Sequence, residues 1–292
     1  MRLLVLGANG QLGRCLADQL SGTEHETILT SRSEIDVTDF VATRVKISQI
    51  NPDVVINASA YTGVDDAESE TQKADLVNHL AVANIAKIST DIESVLIHMS
   101  TDYVFDGEAS AAYREGAQTN PQGVYGKTKL LGEQAIQQSG CKYLIIRTAW
   151  IFSEYGNNFL KTMLRLGAER DELAIVGDQI GCPTYAQDLA RAIVAMLPKI
   201  ESNQREFGVY HYCGESAYSW FEFAEAIFKQ AKERGFKVPN RINSISTAEY
   251  PTPAKRPAYS VLDCSKVTTA FDITASNWRQ GIVDVLDRLG SK

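Results

Sequence analysis

Residues 2–20 read RLLVLGANGQLGRCLADQL. Arg2 to Leu6 is a short apolar run that ends at Gly7, the pattern of a strand buried on both faces. GANGQLG follows with glycines at 7, 10 and 13, and QLGRCLADQL continues with helical periodicity. Strand, glycine turn and helix in that order predict a dinucleotide-binding βα turn. Gly7 permits the tight turn, Gly10 lets a pyrophosphate approach the backbone, and Gly13 lets the helix lie close on the sheet. The spacing is GxxGxxG rather than GxGxxG, so a generic tight βα turn is the plainer alternative. The flanking strand and helix favour cofactor binding over it.

The pattern repeats along the first half. Glu26 to Leu29 reads as a second strand, and Phe40 to Ile50 as a helix ended by Asn51-Pro52. Asp53 to Asn57 is a third strand that runs into a turn of small residues, and Glu68 to Thr90 reads as helix. Ser94 to Met99 is a fourth strand with STDYVFDG as its exit loop. A helix over 122–139 and a strand from Cys141 to Arg147 complete five βα units, with Thr148, Ala149 and Trp150 at the last exit. Such alternation predicts an α/β fold with a doubly wound parallel Rossmann sheet over residues 1–149. Beyond Trp150 come a helix from Asn158, a loop with Gly181 and Pro183, and a helix near 185–197. Then follow a strand from Gly208 to Cys213, a serine-capped helix from Ser219 to Arg234, a weakly periodic stretch from Val238 to Ser265, and a helix from Trp278 to Leu289. Residues 150–292 read mainly as a smaller α/β substrate lobe over the sheet rim, with the helix near 185–197 returning to the sheet.

In a doubly wound sheet, ligands sit beyond the carboxyl ends of the strands. Ala58, Ser59, Ala60, Tyr61 and Thr62 fall there, and so do Ser100, Thr101, Asp102 and Tyr103. Thr30, Ser31 and Arg32 end the second strand, where NAD-specific folds place an acidic residue for the ribose hydroxyls. Hydroxyls and a guanidinium suit a 2′-phosphate better, so NADPH is the expected cofactor, with NADH use left open. Asp36 and Val37 follow at the adenine edge. Tyr125 and Lys129 in VYGKTKLLGE stand one helical turn apart on one face. A nearby ammonium lowers a phenol's pKa from ~10, which makes the tyrosine a usable general acid or base.

The formal net charge of −7 argues against non-specific nucleic-acid binding. Cys15, Cys141, Cys182, Cys213 and Cys264 are scattered with no CxxC pair, as for reduced thiols in a cytoplasmic protein. His25, His79, His98 and His211 form no metal-spaced pair. The first apolar run is too short for a leader, and no segment approaches the ~18 apolar residues of a membrane span.

Taken together, the N-terminal glycines, HMSTDYVFDG, VYGKTKLLGE, RTAWIFSEYGNNFLKTMLRL, GDQIGCPTYAQDLA and EYPTPAKRPAYSVLD resemble the extended short-chain dehydrogenase/reductases. Within them the similarity is to the family of dTDP-4-dehydrorhamnose reductases, and it covers most of the chain. That resemblance implies reduction of the 4-keto group of dTDP-4-dehydro-β-L-rhamnose by NAD(P)H, within dTDP-rhamnose biosynthesis for glycans such as lipopolysaccharide O-antigen. It implies Tyr125 as proton donor and Lys129 as holder of the nicotinamide ribose. Thr101 would bond the reacting oxygen. It places Gly10, Gln11 and Leu12 at the pyrophosphate, Asp36 and Val37 at the adenine, and Ala60, Tyr61, Thr62 and Met99 along the cofactor. Asp102, Tyr103, Val64 and Trp150 would face the sugar.

Two departures from the family pattern matter. Some relatives bind magnesium at a dimer contact through carboxylates where this chain has Cys15 and Gln187. A hard cation loses its oxygen ligands here, so neither a metal nor a metal-linked dimer is expected, while a homodimer of another kind stays open. The other departure is the non-acidic Thr30-Ser31-Arg32 strand end. Three alternatives stand beside the reductase. A 4,6-dehydratase would need a glutamate after Asp102, where Tyr103 stands. A 4-epimerase would retain NAD tightly. A non-catalytic, dinucleotide-binding regulatory subunit would have no use for Thr101, Tyr125 and Lys129 together.

Overall fold

Leu3 to Leu6, Val54 to Asn57 and Val95 to Thr101 are buried along both faces, and chains of this kind form the middle of a parallel sheet. The computed structural model describes residues 1–202 and 207–290. Residues 203–206 and 291–292, which fall in the expected C-terminal lobe, lie outside the described residues. Six parallel strands run in the order Gly208–His211, Lys142–Thr148, Val95–Thr101, Val54–Asn57, Arg2–Leu6, Glu26–Thr30. From Arg2–Leu6 the chain builds one way to Glu26–Thr30 and then the other way to Val54–Asn57. The order therefore reverses between Leu6 and Asn57, which pair directly, and that reversal opens a crevice at the carboxyl rim.

The alternating side chains fill two layers. Leu3, Val5, Ile56 and Ile97 face the helices Gln11–Leu20 and Ala186–Glu201. Leu4, Leu6, Val55 and Leu96 face the other side, with Ile47, Val82, Ile85 and Ile136. A separate core gathers Phe152, Leu160, Phe223 and Trp278 from the segments around the helices Phe159–Glu169, Trp220–Glu233 and Trp278–Gly290. Strands Glu172–Val176 and Arg241–Ile245 pair in parallel beside it.

Some elements differ from the sequence reading. Val95–Thr101 runs past Met99, so Ser100 and Thr101 belong to the strand and not to its exit loop. The helix expected over 68–90 is broken into Thr71–Asp75, a π-helical turn Leu76–Leu80 and Ala81–Asp91. The strand placed with the C-terminal lobe instead joins the main sheet beside Lys142–Thr148. Tyr210 explains why: it is fully buried against Phe271 of the helix Ser265–Phe271, at 5.2 Å between ring centroids. Residues 150–292 thus contribute to both cores.

The helix Val124–Gln138 is pinned to the sheet by a buried ion pair. Arg147 Nε and Nη2 donate to Glu133 Oε1 and Oε2 at 2.9 and 2.6 Å, with side-chain exposures of 4% and 1%. Ser100 donates to the same carboxylate at 2.5 Å. Removing one member leaves a buried charge uncompensated, whereas replacing both with apolar groups removes the charge altogether. Glu133→Ala should therefore lose about 3–5 kcal/mol in urea unfolding, and Glu133→Leu with Arg147→Met should recover most of it. Equal losses in both variants would show that the pair contributes packing alone.

Candidate active site

The first loop is shaped by its glycines. Gly7 has φ +81°, and a Cβ on Gly13 would lie 2.3 Å from the Gly7 carbonyl oxygen, so a side chain at 13 would push the helix off the strand. Gly10 starts the helix Gln11–Leu20 with no side-chain cap, and the first turn holds no acidic residue. Its opening N–H groups therefore stay available to an anion at the positive end of the helix dipole. That geometry fits the pyrophosphate of a dinucleotide. The Gln11 side chain turns the other way, accepting from Asn158 at 2.7 Å and Ser153 at 3.0 Å, so at this site Gln11, like Leu12, has its backbone to offer.

At the second strand end the three expected groups part company. Thr30 Oγ1 donates to the Val5 carbonyl at 3.0 Å and is buried. The Ser31 amide and hydroxyl donate to Glu34 at 2.8 and 2.7 Å, which closes a capping-box-like turn. Both hydroxyls are thus engaged within the protein. Arg32 remains exposed, with its Nε 3.3 Å from Asp36 Oδ2, and is the group free to meet a 2′-phosphate. Asp36 is held by Thr38, and the Val37 side chain lies in the core beside Ile35 and Ile47.

The third strand leads to the turn at 58–62. Asn57 accepts from Ser59, and Asn78 accepts from the Tyr61 amide at 2.9 Å while donating to its carbonyl at 3.0 Å. Asn78 also reaches Thr128 of the helix carrying Tyr125. Ala60, Tyr61 and Thr62 line an open cavity of about 550 Å³. The Tyr61 hydroxyl donates to Glu70 at 2.6 Å. Val64 opens the short helix Val64–Ala67, and the next residue, Asp65, takes a two-pronged ion pair from Arg256 at 2.9 and 2.8 Å. That pair ties the stretch around 250–256 to the rim.

Thr101, Asp102, Tyr103, Tyr125 and Lys129 come together at the fourth strand end. The Tyr103 ring meets the Tyr125 ring edge-on at 5.6 Å. Burial pushes the Tyr125 phenol up to about 12, opposed by a hydrogen bond with Thr101. Lys129 is 2% exposed and donates to the Met99 carbonyl at 2.6 Å. Burial brings its ammonium down to about 8, with Glu133 opposing. The expected lowering of Tyr125 by a lysine charge is therefore absent from this arrangement: Nζ is anchored on the strand, and desolvation dominates both groups. Asp102 accepts from Thr101 at 3.0 Å, while its Oδ2 is buried without a partner. Trp150 takes φ +45°, a strained position for a bulky side chain, and stacks on Trp220 at 3.4 Å. This aromatic wall lies at the fifth strand exit.

Sequence reasoning missed Asn57, Asn78, His98 and Glu133, which support the site from behind. Asn78 had one local signal, a polar residue inside an apolar helical run; the rest depend on partners remote in the chain. At the two positions that depart from the metal-binding pattern, burial pushes the Cys15 thiol up to about 12 and so holds it protonated. Gln187 is engaged by Asp18 at 2.6 Å and Gln19 at 3.0 Å. Among the described residues, no group of three or more His, Cys, Asp or Glu is arranged to hold a metal, and no helix is long and apolar enough to cross a membrane.

Comparison with known proteins bears on this constellation. The family described as RmlD substrate binding domain matches residues 1–291. A dTDP-4-dehydrorhamnose reductase of Aggregatibacter actinomycetemcomitans is 44% identical over 287 residues, covering 97% of this chain and 98% of that protein. The crystal structure of a dTDP-4-dehydrorhamnose reductase from Clostridium acetobutylicum is similar with a TM-score of 0.91 at 39% identity, covering 99% of each chain. That of the Bacillus anthracis reductase, solved in complex with NADP, also gives 0.91, at 35% identity over 98% of this chain and 99% of that one.

The buried Asp102 carboxyl carries a prediction. Burial raises it to about 6, against ~3.9 for an unfolded aspartate. Between those values the folded chain holds a proton that the unfolded chain has released, so Asp102 opposes folding more as pH rises from ~4 through 6. Asp102→Asn cannot ionise. It should melt higher than the parent at pH ~8, by on the order of 3 kcal/mol, and the advantage should vanish near pH ~4. A constant difference across that range would show that the carboxyl is not perturbed in the folded chain.

Proposed function

Since the chain belongs to the dTDP-4-dehydrorhamnose reductase family, we propose that it reduces the 4-keto group of dTDP-4-dehydro-β-L-rhamnose to dTDP-L-rhamnose, with Tyr125 as the proton donor. The observation that carries this reading is the convergence of Thr101, Tyr125 and Lys129 on a rim whose glycine turn leaves an uncapped helix start. NADPH, when bound, supplies the hydride. The helix start at Gly10 to Leu12 would hold its pyrophosphate, Arg32 its 2′-phosphate, and Ala60 to Thr62 with Met99 its nicotinamide half.

The chain's own residues supply the proton and the dry setting. A phenol held near 12 is fully protonated at neutral pH, which is the form a carbonyl reduction consumes. Thr101 bonds the phenol and stands where the reacting oxygen would be shared between them. Asp102, Tyr103, Val64 and Trp150 would orient the sugar. The segments of the second core around Phe223 and Trp278 would form the substrate lobe, tied down by Asp65–Arg256. Tyr103 occupies the place where a dehydratase would need a second carboxyl group. All five cysteines are free, which suits a reducing compartment, so a cytoplasmic location is part of the proposal. A homodimer without a shared metal fits the engaged Gln187 and protonated Cys15, and sedimentation of the purified chain would report it.

The direct test follows NADPH absorbance with dTDP-4-dehydrorhamnose made in situ. Consumption should require both sugar and protein; a tightly held NAD with no net consumption would instead favour the epimerase. Tyr125→Phe should lower kcat by roughly 10²–10⁴-fold with NADPH binding retained. A variant keeping most of its turnover would remove Tyr125 from the donor role. Arg32→Ala should raise the KM for NADPH and leave that for NADH nearly unchanged, because a guanidinium that reads the 2′-phosphate has no such partner in NADH. Equal losses with both cofactors would take that role from Arg32.

A further inference from the structure

Behind Lys129 lies a buried run of polar groups that no step above uses. Asn57 ends its strand and pairs in register with His98 on the next one; they are 1% and 0% exposed. Asn57 Oδ1 accepts from the Ser59 amide at 3.1 Å and the Ser59 hydroxyl at 2.5 Å. A backbone N–H can only donate, so that end of the amide must be its oxygen. The amide nitrogen therefore faces His98 Nδ1, at 3.1 Å, and donates to it. The ring is neutral, since complete burial holds its pKa well below the ordinary histidine range. A neutral imidazole that accepts at Nδ1 carries its proton on Nε2. Nε2 points at Lys129 Nζ, 3.4 Å away.

An ammonium has three donors and no lone pair, so it would meet this N–H donor to donor. A neutral amine can accept from Nε2 and still donate to the Met99 carbonyl. We propose that Asn57 and His98 are positioning residues that lower the proton affinity of Lys129 in the cofactor-free protein. The other groups around Lys129 do not reverse this. On its own helix stand Tyr125, an uncharged phenol, and Glu133, whose carboxylate is already matched by the Arg147 fork. From the sheet come the Met99 carbonyl and His98, with Asn57 behind it. In its deprotonated form the lysine can accept from a sugar hydroxyl, such as the cofactor ribose that the reductase reading assigns to it. The inference rests on that reading for its use and, for its existence, on the buried contacts from Asn57 through His98 to Lys129.

The test is NMR of the full-length, cofactor-free chain labelled with ¹⁵N histidine and lysine. Lys129→Arg and His98→Gln identify the signals. His98 should show the Nε2–H tautomer from pH ~6 to ~9, and Lys129 should titrate well below the ~10.4 of a free lysine. His98→Phe removes the opposing N–H and should raise the Lys129 midpoint by about one pH unit or more. His98→Gln, should the first variant not fold, presents an acceptor to Nζ and should shift it the same way. The pH profile of kcat should move in parallel. An Nδ1–H tautomer, an ordinary lysine midpoint in the parent, or no shift in either variant would overturn the proposal. A chain that titrates as described yet consumes no NADPH with the sugar refutes the reductase reading alone.

Discussion

The site depends on one buried fork, Arg147 against Glu133. Two charges taken out of water cost several kcal/mol each unless their geometry is excellent and their remaining atoms are bonded. Here the guanidinium meets both carboxylate oxygens, and Ser100 adds a third bond. The arrangement exists only at one depth and rotation of the helix Val124–Gln138 relative to its two strands. Tyr125 and Lys129 lie on that helix, and Thr101 follows Ser100 on the strand. A rigid polar contact one turn beyond Lys129 thus sets where the proton-handling groups stand.

The crevice at the strand reversal is organised in a similar way. Two asparagines hold the turn 57–62, Asn57 through Ser59 and Asn78 through both backbone groups of Tyr61. Each is buried to 1%, where an unmet polar group would cost ~1–3 kcal/mol, so the turn has little freedom to reshape. The π-helical turn Leu76–Leu80 aims Asn78 at the loop, a use of π geometry common at functional sites. On the opposite wall, Gly13 lets the helix approach until a Cβ would strike the Gly7 carbonyl. Both walls are fixed before any ligand arrives.

Much of this was legible in the chain because it is local. The strand, glycine turn and helix of residues 2–20 lie within one short stretch, and Tyr125 and Lys129 are one turn apart. The parallel α/β class followed from repetition of that local pattern. What stayed hidden is non-local. The Thr30 hydroxyl looked free for a phosphate, yet Val5 on the neighbouring strand accepts it. Gly208–His211 read as part of the second lobe, because nothing in four residues says which sheet edge they will meet. His98 offered only the absence of a metal-spaced partner, and its neighbours Asn57 and Lys129 are 41 and 31 residues away. Trp150 could be placed at a strand exit, but not its stack on Trp220, 70 positions on.

The same burial acts in opposite directions on the two central groups, and that opposition suits a reduction. Desolvation favours whichever form is uncharged, so it raises Tyr125 and lowers Lys129. Before proton transfer the pair is then a phenol beside an amine or a weakly held ammonium. Loss of the phenolic proton leaves an anion in a place that disfavours charge. The proton has gone to the carbonyl oxygen, so this burial drives the phenolate to take up another from solvent before the next turnover.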